Sequence, residues 1–159
     1  MVSPSRLEAA ADRGTRVHEI CANIALGLFI PAIPADCEGY VESYRRWHQH
    51  IIDEVIIVET RLVDTAWGYH GQIDQFVKSK HGENILVDLK TPTALQRSWR
   101  LQMAGYANLV EENGHRVDRV GSLRLDREGK TARMEYYDNS AQDFKMFVEA
   151  LNLYRYFKS

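Results

Sequence analysis

Cysteine is nearly absent from this chain of 159 residues, which has only Cys21 and Cys37. Two thiols so far apart cannot supply a disulfide framework, a zinc ribbon or a four-cysteine iron–sulfur site, and a reducing, cytoplasmic setting is expected. Proline is also scarce, at four residues, so no proline-rich linker divides the chain; the nearest candidate is Pro31-Ala32-Ile33-Pro34-Ala35. No apolar run approaches the roughly 20 residues of a membrane helix, so no membrane partner is expected. Residues 1–16 mix charges with alanines and lack an apolar core before a small-residue cleavage site, which speaks against a secretory signal. Nor is there an excess of positive charge. With 20 Lys and Arg against 22 Asp and Glu, the net charge is −2, which excludes a protein that holds nucleic acid by a broad basic surface; a polyanion must be met in a local groove or through metal ions.

The chain does have the apolar content of one globular domain, 45% hydrophobic with 26% charged residues, and it carries no internal repeat. Ser3-Pro4 reads as an N-cap and first helical position, followed by helical spacing of apolar residues as far as Leu28, with Gly14 as an interruption. A second helix is predicted over 39–53, carrying Tyr40, Tyr44, Trp47 and Ile51 on one face. The period then changes to that of strands, over 55–62, 71–77 and 84–90, with 80–83 as the turn between the last two. A helix over 94–112 stopped by Asn113-Gly114, strands over 117–125 and 131–137, and a helix over 141–157 complete the chain. The aromatic residues of that last helix, Phe144, Phe147, Tyr154 and Phe157, are expected in the core, with a homo-oligomer interface as the alternative. The expected fold is α/β, a central mixed five-stranded sheet flanked by helices.

Chemistry concentrates on the third strand. Alternation puts Leu86, Asp88 and Lys90 on one face and Ile85, Val87 and Leu89 on the other. An acid and an amine at the end of an apolar strand are costly to bury unless paired or bound to a metal, so the choice lies between a structural ion pair and a site. The hairpin brings Asp74, on the preceding strand, beside Asp88. Two close carboxylates repel, and one tends to stay protonated unless a divalent cation lies between them; oxygen ligands favour Mg²⁺ or Mn²⁺. The carbonyl of Leu89 offers a further hard ligand. Lys90 is then placed to orient or deprotonate a water and to counter charge in a transition state, a set of parts suited to phosphodiester hydrolysis.

These residues resemble the PD-(D/E)XK nuclease superfamily, and within it the RecB-like exonucleases. The resemblance rests on Gly71-Gln72-Ile73-Asp74, Val87-Asp88-Leu89-Lys90-Thr91, Gln102-Met103-Ala104-Gly105-Tyr106 and the upstream Arg13-Gly14-Thr15-Arg16-Val17-His18, in that family's order. It implies a restriction-endonuclease-like core. It implies Asp74 and Asp88 as metal-binding acids, Lys90 as the catalytic lysine, His18 near the metal and Glu59 as a supporting acid. Gln102 and Tyr106 match a helix motif that faces substrate, with Gln102 counted in the catalytic set. Relatives with an iron–sulfur cluster carry four cysteines, which this chain lacks.

Each residue also has a plainer reading. Asp74 near glycine suits a turn; His18 suits a satisfied helix-face histidine; Tyr106 suits the core. Arg97 and Arg100 are placed to bind phosphates or to cover a solvated helix face. His48 and His50 fall on different helix faces and lack cysteine partners, so a solvated face is expected of them. Trp67 and Tyr69 suit either base stacking or a hairpin cap. The expectation is a Mg²⁺- or Mn²⁺-dependent deoxyribonuclease acting on DNA ends, with a helicase, recombinase or single-strand-binding protein as partner. The alternatives are a nuclease-fold binding subunit, an endonuclease or a ribonuclease.

Overall fold

The computed structural model describes residues 3–91 and 96–159. Helix α1 spans Pro4–Ala25, with Ser3 as N-cap and proline in the first turn. It runs through Gly14, whose helical cost of about 1 kcal/mol is borne without a break. It stops short of the predicted Leu28 because Gly27, at φ +68°, turns left-handed and returns the Leu28 N–H to the Asn23 carbonyl at 2.9 Å and its own N–H to Ile24 at 3.1 Å, the Schellman closure. Helix α2, Glu38–Ile51, buries Tyr40, Val41, Tyr44 and Trp47 and passes directly into strand β1, Ile52–Asp64. Strands β2, Tyr69–Ser79, and β3, Asn84–Lys90, follow as a meander. Helix α3, Ser98–Glu112, crosses over to β4, Arg119–Arg124; then come β5, Arg133–Tyr137, and α4, Ser140–Lys158. The predicted start of α3, at Ala94, lies outside the described residues.

The sheet order is β1-β2-β3-β4-β5, antiparallel except for the β3–β4 pair, which is parallel because α3 carries the chain back across one face. This is the mixed five-stranded α/β architecture expected. Side-chain alternation divides the core. Val17, Cys21, Tyr44, Val77, Val87 and Leu89 pack between the sheet and α1 and α2. Phe76, Leu86, Met103, Val110 and Val120 pack between the sheet and α3. Cys21 and Cys37 are both buried as free thiols. Helix α4 lies on α3, where Gly105 makes room for the Phe147 ring. The aromatics of α4, expected in the core, lie outside both core clusters, and only those of its first half are partly covered, by α3 and the hairpin. Phe144 and Phe147 stack at 6.1 Å, whereas Tyr154 and Phe157, beyond the end of that contact, are 60% and 76% exposed.

The β2–β3 hairpin loses its regularity at its open end. Its pairing ends at Gln75–Val87, one residue before Asp74 and Asp88. In β2, moreover, strict alternation fails. Gly71 faces Tyr106 and Leu109 of α3, Ile73 packs in the α3 core, and Phe76, three positions on, does so too. The change of face therefore falls at Asp74–Gln75. On the partner strand the residue at the same level is Glu59, between the Val58–Gln75 and Thr60–Ile73 pairs, and it has a left-handed φ of +43°. Both strands are irregular where the acids lie.

Glycine substitutions separate close approach from mere propensity. A Cβ on Gly39 would sit 1.6 Å from the Arg127 carbonyl oxygen, whereas one on Gly14 would lie 3.6 Å from Thr91 Oγ1, an ordinary contact. Gly39→Ala is expected to lower stability by about 1–3 kcal/mol or more through overpacking. Gly14→Ala is expected to raise it by up to about 1 kcal/mol through helix propensity. Chemical denaturation of both variants checks this, and equal effects would contradict the packing of the 126–129 turn on α2.

Candidate active site

Where β2 and β3 part, the ladder is replaced by side chains. Asp74 Oδ2 accepts the Leu89 N–H at 2.8 Å and lies 3.2 Å from His18 Nε2. On its other side, His18 Nδ1 is 2.8 Å from the Gly14 carbonyl oxygen and donates to it. An imidazole with an oxygen acceptor at each nitrogen is protonated. Burial alone would lower its pKa, but the hydrogen bond and charge of Asp74 outweigh burial and raise it to about 9. Asp74 is correspondingly held below the usual carboxylate range: burial pushes it up, and the His18 contact and the Leu89 N–H push it further down.

Asp88 is the opposite member of the pair. It is 6% exposed, and burial together with the Asp74 charge raises its pKa to about 7 despite the nearby Lys90. Lys90 Nζ stands 2.7 Å from Asp88 Oδ2, a direct ion pair. Lys90 is positioned from α3: Nζ donates to Gln102 Oε1 at 3.3 Å, and it lies 5.3 Å from the centre of the Trp99 ring. Gln102 Nε2 in turn donates to the Tyr106 hydroxyl at 3.1 Å. Residues 99, 102 and 106 share one helical face, which is why a single helix supplies all three.

Glu59 completes the acidic side. Gln72 Nε2 donates to its Oε2 at 2.7 Å, while Oε1 is buried without a hydrogen-bond partner. Burial and the Asp74 charge raise its pKa. A cleft of about 940 Å³ opens onto this group, lined by His18, Glu59, Gln72, Asp74 and Tyr106.

The structure thus brings together Asp74, Asp88, Lys90, Gln102, Tyr106, His18 and Glu59. It does not bring Arg100. That guanidinium donates from Nε to both oxygens of Asp143 at 3.0 Å and from Nη2 to the Asp138 carbonyl at 2.9 Å, so the expected substrate arginine is a tie between α3 and the start of α4. Arg97 is exposed at the N-cap of α3. Leu89 contributes its N–H to Asp74, a role distinct from the metal-ligand carbonyl expected. Trp67 packs edge-on against Phe144, and the Tyr69 hydroxyl donates to the Gly105 carbonyl at 2.7 Å, so both cap the hairpin. Sequence reasoning missed Trp99 and Gln72. Trp99 was findable, three residues before Gln102 on the same helical face; Gln72 depends on the irregular pairing at Glu59, which no spacing announces.

Among the described residues no three His, Cys, Asp or Glu side chains converge as a preformed metal cage. The acids are met instead by the chain's own cations, His18 on Asp74 and Lys90 on Asp88. The residues nonetheless fit a hard divalent ion. Glu59 Oε1 is buried without a hydrogen-bond partner, and burial together with the Asp74 charge drives Asp88 toward the protonated state although Lys90 stands beside it. Compared with known proteins, the chain matches no family model and no curated sequence.

The raised pKa values of Asp88 and His18 each make the stability of the metal-free protein depend on pH. Asp88 binds its proton more tightly folded than unfolded, so its stabilising contribution is complete below about 3.8 and is lost as pH rises to about 7. His18 contributes fully below about 6.5 and loses its contribution as pH rises through about 9. In EDTA, the Tm is expected to fall across both windows. Asp88→Asn should flatten the lower one and His18→Gln the upper one; wild-type melting curves independent of pH from 4 to 9 would contradict the buried pair.

Proposed function

We propose that this protein is a metal-dependent nuclease of restriction-endonuclease-like fold that hydrolyses DNA phosphodiester bonds, acting on DNA ends in replication, recombination or repair. The observation that carries the reading is the state of Asp88. It is buried where β2 and β3 part, beside Asp74 on one strand and Lys90 on its own, and burial with the Asp74 charge holds its pKa up at about 7 although the Lys90 ammonium stands 2.7 Å away. A stability device would not set two carboxylates side by side in a buried place, since the cost of desolvating like charges exceeds what one ion pair returns.

Asp74, Asp88 and, from the far side, Glu59 would hold one or two Mg²⁺ or Mn²⁺ ions, with the Leu89 carbonyl as a further oxygen ligand. Such an ion supplies positive charge that polarises a phosphate and favours ionisation of the attacking water. Leu89 N–H fixes the Asp74 carboxylate, so the pair keeps its orientation as charge changes. Lys90, held by Gln102 and Trp99, presents an ammonium whose donors suit a water or a non-bridging phosphate oxygen. In the reaction a water oxygen bonds to phosphorus as the bond to one sugar oxygen breaks. The water's proton leaves toward the basic groups of the site, and the departing sugar oxygen gains one. His18 neutralises Asp74 when no other cation is there, and Tyr106 forms the α3 wall of the cleft. The choice of DNA ends rests on the resemblance of His18, Gln102 and Tyr106 to the RecB-like pattern.

Incubation with Mg²⁺ or Mn²⁺ and linear or circular, single- or double-stranded DNA is expected to give digestion of the ended molecules that EDTA abolishes. No metal-dependent cutting of any of them would overturn the reading. Lys90→Ala is expected to lower kcat by about 10²–10⁴-fold while changing DNA affinity, measured in EDTA, by less than about threefold. Undiminished turnover would remove Lys90 from its role.

A further inference from the structure

Helix α4 is apolar on two sides. Phe144 and Phe147 turn toward α3 and the hairpin, against Gly105, Trp67 and Tyr69. Met146, Ala150, Leu153 and Phe157, spaced four, three and four apart, fall within an arc of about 60° on the other side. All four are exposed, and Tyr154 and Tyr156, also exposed, flank them. A helix with one apolar stripe buries that stripe; a helix apolar on both sides belongs between two partners. Helix α3 is the first of these, and among the described residues nothing covers the second stripe.

The stripe is not a frayed end. Arg155 Nη2 donates to the Trp67 and Gly68 carbonyl oxygens and so ties the last turns of α4 to the turn between β1 and β2. Tyr156 and Phe157 meet edge to face, their centres 5.3 Å apart. The apolar side chains are thus carried on a fixed backbone, which lowers the ordering cost of docking.

The size of the patch suits a second copy of this chain. Tyr154, Tyr156 and Phe157 are 60%, 73% and 76% exposed. At about 150–250 Å² per side chain, they leave roughly 400 Å² of aromatic surface open to water. Met146 and Leu153, 43% and 59% exposed, bring the total to roughly 500 Å². Two such faces laid together remove roughly 1,000 Å² from water, the lower bound of a specific interface. The stripe also reads alike in both directions. About its midpoint Met146 mirrors Phe157 and Ala150 mirrors Leu153, so a second α4 running antiparallel across a two-fold axis sets alanine against leucine and methionine against phenylalanine. Each contact joins a small or pliant side chain to a bulky one, and a thioether suits an aromatic ring. Glu149 and Tyr156 share one rim and meet across the same axis, carboxylate to hydroxyl. The exposed rims hold Lys145, Glu149 and Lys158, one net charge, which is too little for the Lys- and Arg-rich face that holds a helix on anionic lipid.

We propose that this protein forms a symmetric dimer in solution in which the outer faces of two α4 helices pack antiparallel. None of the six residues lines the acidic cleft, so the dimer and the nuclease reading stand or fall separately.

The test is sedimentation equilibrium of the full chain from about 1 to 100 µM, the range in which so small an interface is half-formed. Wild type is expected to pass from a species of 18.3 kDa to one of twice that mass. Leu153→Glu with Phe157→Glu should raise the dimer Kd at least tenfold, whereas Leu7→Glu, at an exposed leucine outside the stripe, should leave it within about threefold. Melting temperature guards against misfolding, and Ala150→Arg carries the test if the double variant does not fold. A single species of 18.3 kDa at the highest concentration would overturn the proposal. So would undiminished association of the folded stripe variants, or a wild-type monomer that instead binds phosphatidylserine-containing vesicles through the stripe. Orientation is read by oxidising Ala150→Cys chains mixed with Leu153→Cys chains, since the native Cys21 and Cys37 are buried. Mixed disulfides are expected to outnumber those between like chains; the reverse would overturn the antiparallel arrangement.

Discussion

The constraint on which the rest of this structure depends is the burial of two neighbouring carboxylates, Asp74 and Asp88, in a place where water cannot neutralise them. A second negative charge within a few ångströms in a partly desolvated site is strongly disfavoured, and either a proton or a cation must answer it. The surrounding architecture is largely a set of answers. Helix α1 delivers His18 with both ring nitrogens engaged, which makes it a cation. The end of β3 delivers Lys90. Helix α3 delivers Gln102 and Trp99, which hold the Lys90 ammonium in place. The backbone of Leu89 gives Asp74 a hydrogen bond that a continuous ladder would have used otherwise.

Topology explains why these answers arrive at one point. β3 is the middle strand, antiparallel to β2 on one edge and parallel to β4 on the other. The parallel neighbour requires a crossover helix, and α3 therefore lies over the β3 end from which Lys90 projects. The antiparallel neighbour stops pairing one residue early, and the irregular backbone at Glu59 and Asp74 turns acids toward the opening rather than into the α3 core. A non-glycine residue with positive φ inside a strand is locally unfavourable and persists only where surrounding contacts determine it; here the Gln72 hydrogen bond to Glu59 does so.

Element type and order are legible in the sequence because they rest on periodicity and capping, which are local. Periodicity gives the third strand to its limits, 84–90, and assigns its two faces correctly, with Leu86 toward α3 and Val87 and Leu89 toward α2. The pairing of Asp74 with Asp88 is legible because a hairpin's register follows from its turn. The illegible contacts have a common cause. Arg100 belongs to Asp143, forty-three positions away, the Leu89 N–H belongs to a side chain on another strand, and Gln72 reaches Glu59 across a kink. Each depends on how elements meet, and on a departure from regular geometry that spacing arguments assume away. Strand alternation, in particular, fails in β2 at the residue with the most chemistry.

The distribution of charge arises from the same constraint. A site that gathers acids repels a polyanion until positive charge is added, and its own cations, His18 and Lys90, are already committed to those acids. A divalent ion at Asp74 and Asp88 would supply that charge where the acids stand, and it would release the Lys90 ammonium from Asp88 to face an incoming anion. A net charge of −2 is then no obstacle, because the field at the cleft is set by the few charges lining it rather than by the sum over the surface.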